Sequence, residues 1–134
     1  MTLLLMALVM GGSPKLEVEA IGHVFTSAEG VEVALAVVRS PGPKRALVRI
    51  TRAGANPASK VWLAQRWERQ EISEYRVTVD KKVRVILVTR MGFPIVILPE
   101  DGREVSIEWS DEKSRALDTR QLLENYLRQE KAKK

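Results

Sequence analysis

Between Lys15 and Trp109, apolar and polar residues alternate in short runs, each cut by a turn signal; only the C-terminal segment changes period. Side chains along a strand point to opposite faces with a period of two, so this pattern dictates a sheet with a dry face and a wet one. It predicts a mainly β fold: an antiparallel β-sandwich or partly open barrel of seven to eight strands with a C-terminal amphipathic helix. The 134 residues suffice for one such domain. Three segments follow: an apolar N-terminal segment over residues 1–14, the β domain over 15–110, and over 111–134 a C-terminal helix packed on that domain.

Leu16, Val18 and Ala20 alternate with Glu17 and Glu19, and this first strand is expected to continue through Val24 and Phe25. Val31–Val38 is nearly continuous in apolar character, which predicts a central strand covered on both faces. Ser40-Pro41-Gly42-Pro43 then turns the chain into Arg45–Arg52, where Val48 and Ile50 face inward and Arg49 and Thr51 outward. Residues 57–71 are ambiguous. Asn56-Pro57 is a helix start, and Leu63 and Trp67 are spaced i,i+4, yet Val61, Leu63, Gln65 and Trp67 also alternate; a short helix or an irregular excursion is expected in preference to a strand.

Tyr75–Val79 and Val83–Arg90 flank Asp80-Lys81-Lys82 as a hairpin. Met91-Gly92 leads into Phe93–Leu98, which Pro94 assigns to a sheet edge because proline donates nothing to the ladder. Pro99–Gly102 turns into Arg103–Trp109, with Val105, Ile107 and Trp109 inward. From Asp118 the period becomes helical: Asp118 with Gln121 resembles a capping box, and Leu122, Leu123, Tyr126 and Leu127 form one apolar stripe. Leu123 and Leu127 are expected to cover the apolar Phe93–Leu98 strand; otherwise a partner must.

The run Thr2–Met10 is too short to span a bilayer as a helix. Followed by Gly11-Gly12-Ser13, it reads either as the remnant of an export signal or as a core element. The first reading puts the protein in the periplasm or outside the cell, the second in the cytoplasm. No stable membrane span is expected.

Chemistry is sparsely provided for. There is no cysteine and a single histidine, His23, so neither a thiolate site nor a histidine-rich metal site can be built. None of the serines sits in a G-x-S-x-G turn, and no glycines form a phosphate-cradling motif. The carboxylate groups Glu17/Glu19 and Glu100/Asp101/Glu104 lack a calcium-loop pattern. These features point away from an enzyme, a cofactor or a bound metal, and towards a non-catalytic binding or assembly module with a protein partner or self-association.

The formal charge is +5, and residues 1–70 hold the excess, with nine Lys/Arg against five Asp/Glu. The candidate binding surface is therefore basic and aromatic: Arg49, Arg52, Lys60, Trp62, Arg66 and Arg69. On a helix, Trp62, Arg66 and Arg69 would share a face suited to stacking and phosphate contacts, which makes a cytoplasmic nucleic-acid-binding β-barrel the alternative function.

Overall fold

A computed structural model describes residues 16–39, 44–52, 60–90 and 93–133. The N-terminal segment 1–14 and the turns expected at 40–43, 54–57 and 91–92 lie wholly or mostly outside them. The chain is mainly antiparallel β, a nearly closed, barrel-like sheet of nine strands with helices at its C-terminal end.

The strands are β1 (His23–Thr26), β2 (Val31–Val37), β3 (Arg45–Arg52), β4 (Val61–Arg69), β5 (Ile72–Val79), β6 (Lys82–Arg90), β7 (Ile95–Ile97), β8 (Glu104–Ser106) and β9 (Glu108–Trp109). The order across the sheet is β8-β7-β6-β5-β4-β3-β2-β1-β9. Only Ile107 separates β8 from β9 in the chain, yet they occupy opposite ends of that order. The segment Glu104–Trp109 therefore pairs with β7 through its first half and with β1 through its second, which draws the sheet into a barrel. At the kink, the Ile107 N–H donates to the Pro94 carbonyl at 3.1 Å.

Alternation fills the interior. Val33, Leu35, Val48, Ala64, Leu87 and Val96 are at most 3% exposed and form one cluster with Tyr75, Val105 and Ile107. β2 is buried on both faces, as its sequence implies: its inner residues join that cluster, while Ala36 and the adjoining Val38 join a second one outside the barrel. The outer cluster is completed by Leu47, Val61 and Leu122 of the C-terminal helix α2 (Thr119–Ala132). A shorter helix, α1 (Asp111–Ala116), precedes it, so the single helix expected over 111–134 is broken at Leu117 and Asp118, where the backbone is extended. Ser110 caps α1 by accepting from the Lys113 N–H at 3.2 Å.

Several expectations are corrected. Residues 61–69 form a strand, registered against β3 from Arg45↔Gln65 to Arg49↔Val61; Ala64, fully buried, is needed inside the barrel. β7 is not an edge: β6 and β8 flank it, and Pro94 stands just ahead of it. The helix α2 lies over β2–β4 and not over β7, leaving Leu127 47% exposed. The first strand begins only at His23; before it, a single bridge, Val18↔Val38, survives of the expected alternation. Trp109 is not core but 48% exposed, its ring 5.3 Å from His23 and 5.9 Å from Phe25.

The β5–β6 hairpin turns through Asp80 and Lys81, both at positive φ (52° and 67°), with Val79 paired to Lys82. That is the geometry of a two-residue type I′ loop, in which glycine suits the second position best. A left-handed lysine costs roughly 1–2 kcal/mol, against about 0.5–1 kcal/mol for ordering a glycine. Lys81→Gly is therefore expected to raise the unfolding free energy by about 0.5–1 kcal/mol in urea titration; a loss of stability would contradict the turn assignment.

Candidate binding groove

The six basic and aromatic residues are dispersed over β3, β4 and the residue before β4. Trp62 and Arg66 point inward with Ala64, whereas Arg69 shares the outward face with Trp67, so the common face expected of a helix is not formed. Trp62 packs on the barrel core with the Lys60 ammonium 4.1 Å over its ring. Arg49 lies on the outer face of β3, beside Glu32 and Lys113. Arg52 approaches Glu100 at 3.8 Å, near the turn that joins β7 to β8.

Arg66 belongs to a polar cluster at one end of the barrel. Its Nη2 lies 2.8 Å from Glu68 Oε2 and donates to Ser73 Oγ at 3.3 Å. The Lys44 ammonium reaches the other Glu68 oxygen at 2.6 Å, and this hydrogen bond, followed by the charge of Arg66, lowers the Glu68 pKa. Burial raises the Tyr75 phenol, which also hydrogen-bonds to Thr89. These groups satisfy one another.

His23 stands at the same end. Burial lowers its pKa from the ordinary 6.5, Glu19 opposes that shift, and Arg66 adds to it. An unfolded chain binds the proton near the ordinary value while the folded chain resists it. His23 therefore contributes stability above about pH 6.5 that is lost as pH falls through the folded value. Urea titrations across this window should show His23→Gln losing less stability than the native chain on acidification; equal losses would remove His23 as the cause.

The outer surface carries a larger feature, and it arises from an interruption in the sheet. The β4–β5 ladder runs from Arg69↔Ile72 to Gln65↔Arg76 and stops there, although β4 begins at Val61 and β5 continues to Val79. At the same point the β5–β6 register slips between Tyr75 and Arg76, so that β6 carries an extra residue, Ile86. A bulge bends its strand and strengthens the local twist. Beyond Arg76, the β5–β6 hairpin twists away from β4 and a seam opens.

The helix α2 borders this seam. Gln129 donates from Nε2 to the Val61 carbonyl at 2.7 Å and accepts from the Val61 N–H at 2.9 Å, occupying the positions a neighbouring strand would take. Together the seam and the helix enclose a groove of about 490 Å³. Four cations line it, Arg45, Lys60, Arg76 and Lys133, against one acid, Glu130. Arg76 is held by Glu74 at 2.7 Å and stacks 4.6 Å over Trp67, and Lys133 pairs with Glu130 at 3.0 Å. Tyr126, on the helix wall, has its phenol raised by burial and then by Glu130, so it remains a neutral hydrogen-bonding group.

Of the residues chosen from sequence, only Lys60 and Trp62 line this groove. The missed signal is in α2: Leu122, Tyr126, Gln129 and Lys133 repeat at helical spacing on the docked face, and two of those four positions are polar. Among the described residues no group of three or more His, Asp or Glu could hold a metal ion, and no helix is long and apolar enough to cross a membrane. Comparison with protein-family models, with curated proteins and with solved structures found no match.

Proposed function

We propose that this protein is a non-catalytic binding module whose groove between β4, β5 and α2 takes an acidic segment of a partner protein. One observation carries the reading: four cations line the place where the sheet is interrupted, against two carboxylates, Glu130 in the same lining and Glu74 bound to Arg76. Complementary charge of this kind governs encounter rate and partner choice. The non-catalytic part is supported by the barrel-end cluster, whose titratable groups are engaged with one another. An envelope location rests on the run Thr2–Met10; a mature chain starting near Ser13–Leu16 in its native host is the expected result, and an intact Met1 removes it.

The test is retention on immobilised poly-glutamate at low salt, compared with single-stranded DNA and RNA. The native chain should be retained and released by salt, and the double variant Lys60→Glu/Arg76→Glu should bind about tenfold more weakly. Surface ion pairs are worth little to folding, so the variant should retain its fold. Stronger retention on nucleic acid than on poly-glutamate would replace this proposal with the alternative function.

A further inference from the structure

Resting on the groove reading above, we infer that the partner segment binds as an extended strand, added to the open seam between β4 and β5. The direction of the backbone groups supports this mode. The Arg66 N–H donates to the Lys44 carbonyl at 2.9 Å, so the even-numbered residues of β4 address β3. Odd-numbered residues therefore address the opposite side, as the Val61–Gln129 pair confirms. Leu63 is the next such residue, and among the described residues no strand pairs with it on that side. Across the seam, Ile72, Glu74 and Arg76 face β4, so Thr78 is the next residue of β5 with its N–H and C=O directed into the gap.

A seam of three or four residues offers about 10–13 Å of edge, enough for a short strand segment. Main-chain pairing supplies affinity in this mode, and flanking side chains supply selectivity. The flanking side chains here are cationic at both ends. Arg45 and Arg76 are each registered with Gln65 at the closed end, while Lys60 and Lys133 stand at the end held by Gln129. An acidic, extended segment matches that arrangement. A second copy of this chain does not: its projecting hairpin would bring Lys81, Lys82 and Arg84 against the same cations.

The experiment titrates the full chain, followed by amide NMR, with three capped hexapeptides: alternating Glu and Val, the same peptide N-methylated at alternate residues, and alternating Lys and Val. Poly-glutamate is titrated in parallel. The Glu/Val peptide is expected to bind, shifting and protecting the Leu63 and Thr78 amides. N-methylation should weaken it about tenfold or more, and the Lys/Val peptide should not bind. Equal affinity for the methylated and unmethylated peptides would overturn strand addition and leave the acidic groove standing. If neither acidic peptide nor poly-glutamate binds, both readings fail together. Self-association that excludes the peptide would identify a second copy as the occupant and overturn the inference.

Discussion

Leu122→Ala is expected to cost about 2–5 kcal/mol of unfolding free energy, the largest loss for a single substitution in the outer layer. Leu122 is 1% exposed and meets Ala36, Val38, Leu47 and Val61. Ala36 is fully buried and small, which lets the helix approach the sheet closely, so truncating Leu122 leaves a hole that neither surface can fill. Leu127, 47% exposed on the same helix, is the internal control and should change stability by no more than about 0.5 kcal/mol. Urea titration of both variants is the measurement. If Leu122→Ala cost no more than Leu127→Ala, the docking of α2 on β2–β4 would be wrong, and with it one wall of the groove.

Ser114→Ala is expected to cost about 1–3 kcal/mol, a large effect for the removal of one hydroxyl. β9 pairs with β1 at Phe25 and Thr26, and just beyond it the Ser110 N–H donates to the Val24 carbonyl at 2.8 Å, which leaves the Val24 N–H as the group in need of a partner. Ser114, 4% exposed on α1, supplies the missing partner: its Oγ accepts from the Val24 N–H at 2.7 Å and donates to the Val24 carbonyl at 3.4 Å. Val24 is 2% exposed, so without the hydroxyl its N–H would be stranded away from water. Denaturation together with hydrogen exchange at the Val24 amide tests this. A variant with native stability and native protection would show that another group takes over.

How much of this was legible in the chain depends on whether the signal was local. The double cover of β2 could be read from Val31–Val38 because a nearly unbroken apolar run has only one economical burial. Its single charge, Glu32, finds Lys113 at 2.8 Å. The cap of α2 was equally legible: Asp118 accepts from the Gln121 N–H at 3.1 Å, although the Gln121 side chain turns to Asn125 and does not close the box.

Leu63 and Trp67 misled for a definite reason. A spacing of four places two residues on one face of a helix and also on one face of a strand, and pairing with β3 decides between them. Barrel closure was not readable, since nothing in Glu104–Trp109 says that one segment serves two neighbours. The groove was hidden more deeply. It needs the Ile86 bulge and the early end of the β4–β5 ladder, which meet at Arg76, together with the distant Gln129, none of them marked by composition.

The closing segment has a consequence for synthesis. Phe25 meets Trp109 across nearly the whole described chain, so no emerging polypeptide can complete its barrel until the last strand has left the ribosome. Until then β1 and β7 each expose a bare margin, and contacts of such long range form slowly. Nascent chains stalled before Glu108 should accordingly attract chaperones, while those extended past α2 should not.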